Sequence, residues 1–163
     1  MSGAIGSRLK GLYYKLRYFY RLRDCKLYCE GTLRLGKGSL VSGGVVVIGP
    51  GAVLDIGDQV YIGHFCNIRV QERVTIGDGC KIAQFVSIVD HDYDFRSSDW
   101  AHQFRVNEVV VGTQTMIGTG AILLRGVTIA PNSIVPANLV LRRNDRDGGH
   151  QVISRRKYSL GKL

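Results

Sequence analysis

The sequence predicts an all-β solenoid of short strands with a corner every six residues. Three observations carry this. Aliphatic side chains recur at every sixth position: Ile56, Ile62 and Ile68; then, after two extra residues, Ile76, Ile82 and Ile88; then Val111, Ile117, Leu123, Ile129, Val135 and Leu141. Two residues before most of them stands another small or apolar side chain: Val60, Cys66, Val74, Cys80, Val86, Val109, Thr115, Ala121, Val127, Ser133 and Leu139. Glycine often follows, as at Gly57, Gly63, Gly77, Gly112 and Gly118. A helix cannot use a period of six, because its faces repeat every 3.6 residues. One long strand cannot use it either, since a glycine every sixth residue would interrupt the ladder. Three short sides joined by tight corners close one triangular coil, and stacked coils bury the aliphatics in a continuous core.

Taken in order, the chain divides into a cap at 1–30, a solenoid at 31–141 with an excursion at 89–108, and a basic tail at 142–163. The 163 residues suffice for one domain with its own core, and an apolar content of 45% is ordinary for a globular chain. The net charge of +9 is uneven. Residues 8–23, "RLKGLYYKLRYFYRLR", hold six cations and no acid. Leu9, Leu12, Tyr13, Leu16, Phe19, Tyr20 and Leu22 fall at near-helical spacing there, which predicts a basic amphipathic helix. Such a helix can cap the open end of a solenoid or lie on an anionic membrane surface. No nucleic-acid-binding motif accompanies the charge, so nucleic acid is not an expected partner.

The solenoid proper begins with a rougher rhythm at Leu35, Val41, Ile48 and Leu54 and then becomes regular. Cys66 and Cys80 fall on inward positions and read as packed core thiols. Cys25 and Cys29 have no matching second pair, so a zinc site is not expected. The N-terminus lacks the uninterrupted apolar segment of a signal peptide, and no apolar run is long enough to span a bilayer. A reducing, cytoplasmic setting is therefore expected.

Between Ile88 and Val109 the rhythm stops, and "IVDHDYDFRSSDW" opens the gap. Long insertions in compact domains are uncommon and often functional. This one is rich in acids and aromatics and holds His91.

The segments "IGDQVYIGHFCNI", "VTIGDGCKIAQFVSI" and "VVVGTQTMIGTGAILLRGVTIAPNSIVPANLV" resemble the hexapeptide-repeat acyltransferases, in particular the maltose, galactoside and polysaccharide O-acetyltransferase branch. The resemblance covers about residues 31–141. It implies a left-handed parallel β-helix, a homotrimer, acetyl-coenzyme A as donor, no metal, and a site in the groove between subunits. It also implies a catalytic histidine at the root of the excursion loop, here His91. Histidine suits this role, because an acceptor hydroxyl must lose its proton as it attacks a thioester. A carboxylate beside it would fix the imidazole tautomer, with Asp90, Asp92 and Asp94 as candidates.

By the same resemblance, Tyr93, His64, Asn67 and Trp100 are candidates for the acceptor site. Trp100 could stack on a sugar or on adenine, or anchor the loop on a neighbouring subunit. Gly118, Thr119, Gly120, Ala121 and Ala137 would form the corners along which coenzyme A lies. Arg142 and Arg143, with Arg155, Arg156 and Lys157, could meet its phosphates.

The chain departs from the family in three places. Tyr93 stands where some relatives carry histidine. Thr115 and Met116 replace a familiar tryptophan, and "RRNDRDGGHQVISRRKYSLGKL" replaces a Gly-Asn-Pro-Ala turn. His102 and His150 are weaker candidates, and no pair of histidines has the close spacing of the zinc-binding solenoids. The expected activity is O-acetylation of a sugar, surface-polysaccharide or glycolipid hydroxyl. The alternatives are N-acetylation of an amino sugar and a non-catalytic scaffold at a membrane surface.

Overall fold

The structure is a computed structural model and describes residues 2–22 and 24–143. It is a left-handed parallel β-helix of about six turns with one short helix. Sheet A stacks six strands: Cys25–Cys29, Gly44–Ile48, Cys66–Val70, Ser87–Val89, Ile122–Leu123 and Val140–Leu141. Sheet B stacks Thr32–Leu35, Val53–Ile56, Arg73–Ile76, Val109–Val111 and Thr128–Ile129. Sheet C stacks Leu40–Val41, Tyr61–Ile62, Lys81–Ile82, Met116–Ile117 and Ile134–Val135. The chain passes from A to B to C and back to A in every coil.

All of the regularly spaced aliphatics face inward, and none from Ile56 to Leu141 is more than 2% exposed. They form columns because equivalent residues of successive coils pair directly. Val46, Ile68, Ile88, Leu123 and Leu141 make the sheet A column, and Val41, Ile62, Ile82, Ile117 and Val135 the sheet C column. The two extra residues between Ile68 and Ile76 lengthen a sheet A strand to Val70. Two residues are one full side-chain alternation, so the inward face is kept.

The corners explain the glycines. A Cβ at Gly112 would lie 2.4 Å from Pro131 N, and one at Gly118 would lie 2.5 Å from Ala137 N. Each glycine thus leaves room for the next coil's backbone. Two residues later the backbone is left-handed, on glycine at Gly38, Gly79 and Gly120 but on Gln59, Phe65 and Gln114 after Gly57, Gly63 and Gly112; Phe85, Asn132 and Asn138 hold the same conformation at other corners. Carboxylates tie corners together, with Asp58 Oδ1 accepting from Lys37 N at 2.6 Å and Asp78 Oδ1 from Asp58 N at 2.7 Å.

Two boundaries differ from expectation, and the excursion at 89–108 holds an element that the sequence did not predict. The helix spans Ser2–Arg17 and ends in a turn, where the spacing predicted residues 8–23. Parallel pairing begins at Cys25, which stacks on Gly44, so the first coil reaches into the expected cap. The excursion is an antiparallel hairpin: His91–Tyr93 pairs with Phe104–Val106, His91 opposite Val106. The helix does cap the first coil. Gly11 lies against Leu27 O, and Tyr14 and Tyr18 pack on the core. Arg21 donates to Ser39 O at 2.9 Å, to Leu35 O at 3.0 Å and to Gly36 O, and so closes the orphan carbonyls of the first turn.

Candidate active site

The strand Ser87–Val89 and its continuation decide the site. Inward and outward positions alternate, so Ile88 faces the core, Val89 faces out, and Asp90 faces in again. A carboxylate buried this deeply must be satisfied. Asp90 is 0% exposed and accepts the backbone N–H groups of Gln71 at 2.8 Å, Glu72 at 2.8 Å and Arg73 at 2.9 Å. These belong to the A-to-B corner of the preceding coil.

His91 Nδ1 lies 2.9 Å from Asp90 Oδ1, and the His91 side chain is 14% exposed. With Asp90 ionised, the carboxylate only accepts, so the proton of a neutral imidazole is assigned to Nδ1. Nε2 then carries the lone pair and can receive a proton. Phe104, from the returning strand of the hairpin, meets the imidazole edge-on at 5.0 Å between centroids. The ring is thus fixed by a buried carboxylate on one side and an aromatic on another.

The structure separates the three candidate carboxylates. Asp90 meets the imidazole, while Asp92 pairs with Arg125 and Asp94 Oδ1 accepts from Arg96 N at 3.2 Å. Arg125 is a residue that the sequence reading missed. Its signal is a cation at an A-to-B corner, in "LLRGVTI", two residues after the sheet A column residue Leu123. Arg143 stacks above it, near Gly126, and its Nε is buried with no hydrogen-bond partner among the described residues. Arg142 is exposed beside it. Arg155, Arg156, Lys157 and His150 lie outside the described residues.

Tyr93 and Trp100 join His91 through one aromatic cluster on the hairpin. Tyr93 is 5.1 Å from Phe104 and 6.1 Å from Trp100, and Trp100 stacks on Phe95 at 5.5 Å. His102 is exposed, with its Nδ1 2.7 Å from Asp99 Oδ1.

The remaining candidates gather at the other edge of sheet A, the C-to-A corner. There His64 and Phe65, Gln84 and Phe85, Thr119 and Gly120, and Ala137 and Asn138 form successive steps. Backbone bonds link them: Phe85 N to His64 O at 3.0 Å, Gly120 N to Gln84 O at 3.1 Å and Asn138 N to Thr119 O at 2.9 Å. Asn67 follows on the outer face of sheet A, its Oδ1 accepting from Arg69 Nε at 3.3 Å. Ala121 is a correction: its side chain is 0% exposed in the core, so it forms no wall of a surface groove. Gly118 is glycine because Ala137 passes close above it, a requirement of the coil itself.

Phe65 and Phe85 were also unanticipated. Both have left-handed backbone, φ 60° and 61°, where a bulky side chain is strained by about 1–2 kcal/mol. They stack on each other at 5.1 Å and are 67% and 53% exposed.

None of the four cysteines forms a disulfide, and all are buried. Burial pushes the Cys29, Cys66 and Cys80 thiols up from their ordinary range. Among the described residues no group of three or more His, Cys, Asp or Glu side chains is placed to hold a metal ion.

No protein-family model matches the chain. "Putative acetyltransferase YvoF" of Bacillus subtilis (strain 168) is 27% identical over 82 residues, 50% of this chain and 44% of that protein. "Nodulation protein L" of Rhizobium leguminosarum bv. viciae is 37% identical over 121 residues, 69% of this chain and 62% of that protein. "Putative lipopolysaccharide biosynthesis O-acetyl transferase WbbJ" of Escherichia coli (strain K12) is 28% identical over 142 residues, 77% of this chain and 72% of that protein. The chain thus spans less than two thirds of the length of the first two relatives. Among solved structures, a mutant of AntD, an N-acyltransferase from Bacillus cereus in complex with dTDP and coenzyme A, superposes with a TM-score of 0.59. The superposition covers 86% of this chain and 84% of that one at 15% identity, a likeness of fold.

Proposed function

We propose that this chain, which shares its repeat, its solenoid and detectable sequence similarity with the hexapeptide-repeat acyltransferases, transfers an acetyl group from acetyl-coenzyme A to a sugar hydroxyl. The observation that carries the reading is the buried Asp90 beneath His91 at 2.9 Å. The acceptor is a unit of a surface polysaccharide or glycolipid.

His91 Nε2 removes the hydroxyl proton as the acceptor oxygen attacks the thioester carbonyl. Collapse of the tetrahedral intermediate breaks the C–S bond, and the imidazolium returns the proton to the departing thiolate. Asp90 holds the ring in the competent tautomer and steadies the imidazolium. Both substrates react directly, so positioning supplies much of the acceleration. Coenzyme A lies along Gly118, Thr119, Gly120 and Ala137, with Arg142 and Arg143 toward its phosphates.

In one chain Gly118, Thr119, Gly120, Ala137 and His64 stand at one edge of sheet A, while His91, Tyr93 and Trp100, together with Arg142 and Arg143, stand at the other. A homotrimer resolves this, since the A-to-B corner of one copy can face the C-to-A corner of the next. The exposed Phe65–Phe85 stack and the exposed aromatics of the hairpin support such a contact, because exposed apolar patches mark interaction sites. The chain acts in the cytoplasm, peripheral to the inner face of the membrane. Four buried cysteines outside any disulfide accord with a reducing compartment.

The test is to incubate the full chain with acetyl-coenzyme A and a sugar panel, measuring released thiol and acetylated product by mass spectrometry. An ester product is cleaved by mild alkali, whereas an N-acetyl product survives it. Survival would select the amino-sugar alternative. No thiol release with any acceptor would leave the non-catalytic scaffold.

A further inference from the structure

The N-terminal helix has two apolar faces, and the solenoid uses only one. Gly11 and Tyr14 turn inward, with Tyr18 just beyond the helix end. Leu9, Leu12, Tyr13 and Leu16 occupy the opposite arc, and all are exposed, Leu16 to 69%. Phe19 and Tyr20 extend the exposed patch past the helix. One flank of this stripe is basic: Lys10 and Arg17, seven residues apart, are both exposed there. In sequence, residues 8–23 hold six cations and no acid. The first acid of the chain is Asp24.

We propose that this helix lies in the plane of an anionic lipid bilayer and buries its leucine stripe at the headgroup boundary. An apolar arc in a basic segment suits that boundary: the stripe enters the acyl region while the cations beside it lie toward lipid phosphates. A protein partner fits less well, because lysine is depleted at protein interfaces. The 16-residue helix is about 24 Å long, too short for a hydrocarbon core of about 30 Å. Among the described residues no helix is long and apolar enough to cross a membrane. A hollow of about 720 Å³ lies between the stripe and the first coil, bounded by Leu12, Leu16, Phe19, Tyr20, Leu22 and Cys25 with Asp24 as its one acid, and has room for part of an acyl chain. The inner attachments, Gly11 against Leu27, Lys10 Nζ donating to Glu30 O at 2.8 Å and Arg21 on the first coil's carbonyls, hold the helix through residues outside the leucine stripe.

The test is flotation of the full chain with phosphatidylcholine vesicles, with and without about 30% phosphatidylglycerol. The chain is expected to float with the anionic vesicles. The bound fraction should fall about tenfold as salt rises from about 0.05 M to about 0.5 M. The double variant Leu12→Asp/Leu16→Asp should lose on the order of a hundredfold in affinity, with an unchanged melting temperature. Failure of the parent to float at low salt, or equal flotation of the variant, overturns the proposal. So does an oligomer that dissociates in the variant while the parent binds no vesicles, which would make the stripe an interface between copies. Acetyl transfer to a soluble acceptor is measured separately, so either reading can fail alone.

Discussion

His91 Nδ1 sits 2.9 Å from an oxygen of Asp90, a carboxylate with no exposed surface that also accepts three backbone N–H groups from the coil below. Asp90 therefore belongs both to the solenoid and to the site. Asp90→Asn presents one carbonyl oxygen in place of two carboxylate oxygens, and sets an NH2 against donors. A stability loss of about 2–4 kcal/mol is expected in chemical denaturation. A purely structural role would stop there. A positioning role also moves the His91 proton, and nitrogen NMR should find it on Nδ1 in the parent and redistributed in the variant.

Phe85 holds left-handed backbone at a corner where Asn138 fills the same place two coils above. Phe85→Asn should keep or raise the stability of the single chain, by up to about 1 kcal/mol, because asparagine tolerates this conformation better. It should also weaken the proposed trimer by removing half of an exposed aromatic stack. Sedimentation velocity and a thermal melt read the two effects apart. An unchanged mass at all concentrations would remove this corner from the interface.

Gly112→Ala should destabilise strongly, by about 2–4 kcal/mol, since the new methyl meets Pro131 N at 2.4 Å and backbone cannot step aside cheaply. Gly51→Ala is the control. Nothing lies within 4 Å of its Cβ, but its φ is +73°, so only the backbone term of about 1 kcal/mol remains. Urea midpoints of the two variants should differ accordingly.

Burial raises the Cys29, Cys66 and Cys80 thiols, so each contributes stability that is complete below its unfolded pKa and is lost as pH rises through its folded one. Stability should begin to fall as pH passes about 8.5, the ordinary thiol value. Native chain should react with a thiol reagent only at the rate of unfolding. Rapid labelling of all four cysteines would contradict the burial.

The core was legible in the sequence because the coil leaves no freedom. Each side of the triangle must return one aliphatic inward, so a six-residue rhythm locates Ile56 through Leu141. The choice among Asp90, Asp92 and Asp94 was not legible, since strand parity from Ile88 gives all three the same face, and only the place where the chain leaves sheet A, after Val89, singles out Asp90. The hairpin was not legible either, because Phe104–Val106 is exposed on every residue and carries no alternation. Phe65 and Phe85 were also hidden: the left-handed corner favours glycine or asparagine, and only coordinates reveal an aromatic held there.

The most direct test of the account is acetyl-coenzyme A turnover by the parent and by His91→Ala on one accepted sugar, with coenzyme A affinity measured alongside. Loss of the base should lower kcat by about 10²–10⁴-fold and leave coenzyme A binding and melting temperature unchanged. Turnover by His91→Ala within a few fold of the parent would contradict the assignment of His91.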